Sequence, residues 1–400
     1  MLPGRRGRPE SGGRSAEEAE EADASCNDRA VLLTDHFPPR LPDSPGAPLA
    51  SRVPIESDVD GVAGLLRAHL DTIDPETPLD VEDLRSRMVG LHSWSRRQVV
   101  IVPAEADGTA SLEAAPLAWI ALEDRARGRT DLQWVIAPDA PVRQELASTL
   151  MTWAFEVAGS FARHRGVETT QLTADIDERD TDGAAQLAAG GLEQVRTWLH
   201  MRRPTRAEEA TSLPAPRPSV RVRRVHRHPS GLPLAQDVRS VHRMLEESFA
   251  DHFSSYRESF AEFSQRLLEA PRTADWDLWW IAEVDHGEDE GGWLPAGGLV
   301  ASTSPAHGSL GEGTYLDYLG VHRSARGHGV AKALLHAAIA DAARRGRDHV
   351  DLEVDADSPT GADGLYTSMG WETFERTQSW HADASAHASR LLEPEGVEGE

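Results

Sequence analysis

Arg326, Gly327, His328 and Gly329, running into Val330 and Ala331, are the residues whose types and spacing most plainly suit chemistry. Two glycines one residue apart let backbone approach a ligand closely, and Arg326 adds positive charge. From Val330 onward the apolar positions Val330, Leu334, Leu335, Ala338 and Ile339 recur at helical spacing, so the turn opens a helix. The unpaired N–H groups and the dipole at a helix start favour an anion. Upstream, Tyr315–Val321 is aromatic and β-branched and reads as a strand. Strand, glycine turn and helix together suit a pyrophosphate.

The elements that must position this turn follow it directly. Val350–Asp355 reads as a second strand, Asp357–Gly361 as a turn and Ala362–Met369 as a short helix carrying Leu365 and Tyr366, closed by Gly370-Trp371-Glu372. Arg326–Ala331 fits the pattern R/Q-x-x-G-x-G/A, and the later segment resembles N-x-x-A-x-x-L-Y-x-x-x-G-F, with Ser358 where Asn is usual and Trp371 where Phe is usual. Both belong to the GNAT N-acetyltransferases, and residues 315–372 resemble that family.

The resemblance implies acetyl-coenzyme A as acetyl donor, its pyrophosphate on Arg326, Gly327, His328, Gly329, Val330 and Ala331, with Ser358 at the position of the usual Asn. It implies that Leu319, Gly320 and Val321 offer backbone groups to the pantetheine arm, and that Tyr366 protonates the leaving thiolate. A phenol suits that role because it stays protonated at neutral pH. The base is open among carboxylates. By the period of two, Tyr315, Asp317, Leu319 and Val321 share a face that would line the cleft, which favours Asp317; Glu353 comes second, with Asp355 on the same face of its strand. Asp251, His252 and Tyr256 follow the helix over 234–249, where the family shapes its acceptor site, and are expected to bind substrate; His307 is a weaker candidate. The histidines are scattered without ligand spacing, so no metal is expected.

The chain repeats its plan. Residues 51–205 read as helix, helix, three strands, helix, strand, helix and strand, and residues 220–382 read the same way after an opening strand, with 206–219 as a proline-rich linker. Leu172–Asp177 parallels Leu352–Asp357, and Gly191-Leu-Glu-Gln parallels Gly370-Trp-Glu-Thr. Where the second copy has Arg-Gly-His-Gly, the first has Val142-Arg-Gln-Glu145, and no tyrosine matches Tyr366. A carboxylate there repels a pyrophosphate. The expected fold is α/β (α+β): two tandem GNAT domains, each a mixed, mostly antiparallel sheet flanked by helices, the first degenerate and the second working. The tandem plan also resembles mycothiol synthase and its relatives.

Length and composition bound the rest. The 400 residues carry a formal net charge of −25, which argues against nucleic acid as a main partner. Cys26 is the one cysteine, so no internal disulfide is expected, and a reducing cytoplasm fits. No apolar run approaches a membrane span, and the basic N-terminus lacks the apolar core of a secretory signal. Residues 1–50, rich in Gly, Pro and charge, read as a disordered tail, and 383–400 as an acidic one. The expected activity is acetyl transfer to an amine, with a small molecule as acceptor and a monomer or homodimer as the acting form. A non-catalytic acyl-coenzyme A sensor or scaffold, or a protein N-terminal or lysine acetyltransferase, is the alternative.

Overall fold

The computed structural model describes residues 38–126, 128–248, 259–261, 263–264, 275–287, 292–358 and 361–385. In the N-terminal half the strands are β1 (Leu49–Arg52), β2 (Arg96–Pro103), β3 (Ala118–Ala126), β4 (Arg129–Ile136), β5 (Thr169–Asp177) and β6 (Glu193–Pro204). Its helices are α1 (Val59–Asp71), α2 (Val81–Met88), α3 (Arg143–Arg165) and α4 (Thr181–Ala189). The C-terminal half follows with α5 (Glu209–Ser212), β7 (Val220–Arg224), α6 (Ala235–Ser248), β8 (Trp279–Asp285), β9 (Trp293–Ser304) and β10 (Gly313–Val321). It ends with α7 (Val330–Arg344), β11 (His349–Asp355), α8 (Ala362–Ser368) and β12 (Glu372–Ser385).

All twelve strands form one sheet, in the order β1-β2-β3-β4-β5-β12-β6-β11-β10-β9-β8-β7. Replacing each strand by its counterpart six places along the chain returns the same order reversed. The internal repeat is therefore a pseudo-twofold of the sheet. The pairs β4–β5 and β10–β11 are parallel and the others antiparallel. At the centre the halves exchange strands: β6 lies between β12 and β11, and β12 lies between β5 and β6. Each half thus lends its last strand to the other.

The helices cover the two faces as the apolar periods require. On the back, Leu334, Leu335, Ala338 and Ile339 of α7 pack on Leu299, Leu316 and Leu352, and Leu146, Leu150 and Val157 of α3 pack on Ile101, Ile120 and Leu172. On the front, α1 and α2 cover Val100, Trp119 and Val135 at one end, and α6 covers Trp279, Ile281 and Val300 at the other. The central strands carry polar side chains on this front face.

Four boundaries differ from the sequence reading. Leu49 and Ala50, placed in the tail, begin β1, paired to β2 through Leu49↔Pro103. Within 206–219, residues Glu209–Ser212 form a helical turn, because the buried Glu209 carboxylate ion-pairs with Arg203 and accepts the Arg206 N–H at 3.0 Å. β12 continues to Ser385, past 382, on its ladder with β5. Residues 276–284 read as a strand throughout by their Trp, Ile and Val content, yet they begin as a 3-10 turn, Trp276–Leu278, with Asp275 accepting the Asp277 N–H. Residues 1–37 and 386–400 lie outside the described residues, as do 262 and 265–268 of the segment 259–268, which reads as the second helix of this half.

Candidate active site

A fork in the sheet dominates the C-terminal half. β10 pairs with β11 only from Thr314↔Val350 to Leu316↔Leu352. It stays on β9 through Val321↔Gly297. The β11-facing backbone of 317–321 therefore borders a slot, with Leu319, Gly320 and Val321 along its edge. The fork has a local cause: the β10–β9 register jumps from Leu316↔Ala301 to Tyr318↔Val300, leaving Asp317 as a bulge that bends the strand.

The bulge corrects one sequence reading. Tyr315, Asp317, Leu319 and Val321 do not share a face, because the extra residue resets the alternation. Leu319 and Val321 pack toward α7, whereas Tyr318 packs toward α6. Asp317 is exposed at the bulge and accepts the Ser302 hydroxyl at 3.3 Å.

At the open end of the slot stands the glycine turn. Gly327 and Gly329 have φ of 84° and 86°, the left-handed region that costs other residues dearly. Gly329 is the N-cap of α7, whose first-turn N–H groups lack carbonyls four residues back. Arg326 and His328 are exposed beside them, while Val330 is buried and anchors the helix. A Cβ on Gly297 would come within 2.9 Å of the Gly320 carbonyl and of Val330, so glycine there lets β9, β10 and α7 close behind the turn.

Sequence reasoning missed Arg217. It lies in the stretch read as a linker, yet its Nη1 donates to the Gly327 carbonyl at 2.9 Å and its side chain lies beside Gly329. A second guanidinium besides Arg326 therefore stands at the glycine turn, where no local pattern places it. Arg217→Ala is expected to weaken acetyl-coenzyme A binding about three- to tenfold, more at low salt than at high, as for an exposed charge-assisted contact. Titration calorimetry at two salt concentrations checks this.

Ser358 shapes the turn ahead of α8: its N–H donates to the Asp355 carbonyl at 3.1 Å and its own carbonyl accepts the Gly361 N–H at 3.0 Å. Tyr366 is buried with its ring edge-on to Trp371, the centroids 5.8 Å apart. Burial pushes its phenol up to about 12, so it is a proton donor at neutral pH. Trp371 is held by its indole N–H on the Val350 carbonyl at 2.9 Å.

Glu353 is the first residue of β11 beyond the last rung shared with β10, and it faces the front. Its Oε1 accepts the Tyr315 hydroxyl and lies 3.4 Å from His200 Nδ1. Burial, then the Glu353 charge, hold the Tyr315 phenol well above its usual range, so it remains a donor. His200 Nε2 is 2.9 Å from the Thr377 hydroxyl. Further along the same face, Asp175 accepts from Ser379, which accepts the Trp198 indole N–H at 2.7 Å. Burial pushes the Asp175 carboxyl up; Ser379 opposes this, and the Asp131 and Glu353 charges add to it. Thr173 donates to Asp131 at 2.6 Å, and Asp131 pairs with Arg125 at 2.9 Å.

These groups come from strands far apart in the ladder. Burial pulls the Arg125 guanidinium down, and Asp131, Glu123 and the Tyr318 phenol together push it above its usual range. On a flat sheet β3 and β10, six places apart in the order, would be about 29 Å from each other at about 4.8 Å per strand. The Tyr318 phenol bears on Arg125 through space because the sheet curls, and the front face is a trough. Asp131, Asp175 and Glu353 make its floor acidic. One end is bridged: the His307 Nε2–H donates to the Glu76 carbonyl at 3.0 Å, joining the loop before β10 to the loop after α1. His200, Asp175 and Arg125 were not anticipated, since nothing local in the sequence says that β6 enters the other half. Asp251, His252 and Tyr256 lie outside the described residues.

The N-terminal half repeats the fork, with β4 and β5 paired only from Arg129↔Gln171 to Asp131↔Thr173. Its helix start is different. Val142 is the N-cap of α3 with φ of 48°, the one non-glycine at positive φ among the described residues. The turn keeps its left-handed backbone without the glycine. Glu145 lies in the first helical turn and Arg143 is paired with Asp182 at 2.8 Å. His69 at the end of α1 pairs with Asp180, the N-cap of α4, at 3.0 Å.

Among the described residues no cluster of three His, Cys, Asp or Glu side chains is placed to hold a metal, and no helix is long and apolar enough to cross a membrane.

Residues 241–371 match the family model of the acetyltransferase (GNAT) family. No curated protein matches the chain in sequence. Among solved structures it is similar to a GCN5-related N-acetyltransferase from Sphaerobacter thermophilus, at 20% identity and a TM-score of 0.59, over 86% of this chain and 97% of that one. It is also similar to a tandem GNAT protein from the clavulanic acid biosynthesis pathway, at 17% identity and a TM-score of 0.55, over 84% of this chain and 99% of the other. A third is the GCN5-related glucosamine N-acetyltransferase region of a fungal multi-domain β-N-acetylglucosaminidase, at 14% identity and a TM-score of 0.56, over 86% of this chain and 39% of that one. At these identities the likenesses speak to fold. The family draws its acetyl group from acetyl-coenzyme A; residues 241–371 of this chain match its model, and the repeated halves share their fold with a tandem GNAT protein.

Proposed function

We propose that the C-terminal half, residues 220–382, transfers acetyl from acetyl-coenzyme A to a small amine, and that the N-terminal half, residues 51–205, binds no cofactor. The observation that carries this reading is the fork of β10 from β11 past Leu316↔Leu352, with the glycine turn at its open end and Glu353 at its apex. Pyrophosphate rests on residues 326–331 and Arg217, and the pantetheine arm runs along 319–321. An ammonium drawn to the acidic trough gives its proton to Glu353, directly or through water, and its nitrogen attacks the thioester carbonyl. The C–N bond forms, the nitrogen releases its second proton to solvent, the C–S bond breaks, and the leaving thiolate takes the Tyr366 proton; Tyr366 then regains a proton from solvent and Glu353 returns its own. The bridge between His307 and Glu76 favours a small acceptor over a protein chain, because it narrows access to the trough. In the N-terminal half Glu145 repels a pyrophosphate and the valine side chain occupies the position of Gly329.

Titration of acetyl-coenzyme A into the protein tests the division of labour. One site per chain, lost in Arg326→Glu, is expected; two sites would return the N-terminal half to function. Thiol release with a panel of putrescine, ethanolamine, glucosamine and a lysine-containing peptide tests the acceptor class. Turnover with the peptide alone would overturn the small-amine reading.

A further inference from the structure

The strand exchange delivers a residue of the N-terminal half into the active site of the C-terminal half. β6 pairs with β11 in the register His200↔Glu353, and with β12 in the register His200↔Glu375. On one side His200 Nδ1 lies 3.4 Å from Glu353 Oε1; on the other, Nε2 lies 2.9 Å from the Thr377 hydroxyl. The ring stands between these partners, with Phe374 edge-on at 6.3 Å and the Arg202 guanidinium over the Phe374 ring at 4.4 Å. Tyr315 donates to the same Oε1. Glu353 Oε1 is therefore approached from two strands, by the Tyr315 hydroxyl of β10 and the His200 ring of β6.

We propose that His200 is a positioning residue that holds Glu353 for deprotonation of the acceptor amine. The proposal rests on the acetyl-transfer reading above. If Nε2 accepts from Thr377, Nδ1–H donates to Glu353 Oε1, a tautomer that leaves the carboxylate able to take one proton at Oε2. The charged groups around the imidazole are Glu353 from β11, Glu375 from β12 and Arg202 on β6 itself. Glu375 is pushed up by burial and pulled back by His200. The N-terminal half thereby serves the reaction without holding cofactor, since it lends the strand that carries His200.

Two measurements test the proposal. In the first, thiol release is followed with the best amine of the panel in His200→Leu, Glu353→Gln and the double variant. His200→Leu is expected to lower kcat roughly tenfold or more with the KM for acetyl-coenzyme A unchanged, and His200→Gln to recover most of it. The double variant should be no slower than Glu353→Gln alone, because His200 acts through Glu353. Losses that multiply, or a loss confined to KM, would overturn the proposal. In the second, the His200 ring resonances are recorded by NMR, assigned by their absence in His200→Gln. Glu353→Gln should shift the Nδ1 resonance, because the group that Nδ1 faces is changed; an unmoved resonance would overturn the pairing. A moved resonance in a protein that acetylates none of the amines would sink the acetyl-transfer reading while leaving the pairing in place.

Discussion

Gly329→Glu should leave acetyl-coenzyme A binding undetectable by calorimetry, a loss of at least about a hundredfold, while the protein remains folded. The argument has two separable parts. Gly329 sits at φ of 86° as the N-cap of α7, so any side chain there is strained, by about 1–2 kcal/mol for an L-residue in the left-handed region. That strain alone lowers the melting temperature modestly and misplaces the first N–H groups of the helix. Glutamate adds a negative charge at the proposed pyrophosphate site, and it is positioned to pair with Arg217, whose side chain already lies 3.5 Å from where a Cβ on residue 329 would stand. Gly329→Ala separates the two effects, since it carries the strain without the charge; it should bind weakly and not fail outright. Unchanged binding in Gly329→Glu would remove the pyrophosphate from this turn.

The second large effect belongs to Glu353. Glu353→Gln is expected to lower kcat by about a hundredfold, the lower end of what a positioned general base contributes, with the affinity for acetyl-coenzyme A unaltered. The amide keeps the shape and can still meet Tyr315, so the loss reports the missing base. The loss should follow Glu353 and not Asp317. Asp317 lies exposed on the bulge, whereas Glu353 stands at the fork between Tyr315 and His200. A rate profile in which Asp317→Asn carries the loss and Glu353→Gln does not would reverse the assignment. Tyr366 has a distinct signature: Tyr366→Phe removes the donor and should lower kcat most with acceptors whose attack is fast, because thiolate departure then limits the rate.

The parts of this protein set by neighbours along the chain were legible in its sequence. The glycine turn and the helix it opens were legible because glycine and the helical period are local signals, and the same holds for the helix that carries Tyr366. The repeat was legible because both copies keep the order of their elements, but the register of the first copy's turn was not: 142–145 reads against 326–329, whereas Val142 is the N-cap of α3 and so answers Gly329, which moves Glu145 into the first helical turn. The tertiary structure alone decided the rest. The bulge at Asp317 depends on the register against β9, and it overturned a face assignment that a plain period of two supports. Arg217 reaches the anion turn because α5 packs the preceding segment against α7, over a sequence separation of 110 residues. His200 meets Glu353 because the last strands of the two halves cross at the centre of one sheet. Pairing partners are chosen by burial and backbone hydrogen bonding over the whole fold, and no local pattern in 193–204 records that its neighbours are strands more than 140 residues further along the chain.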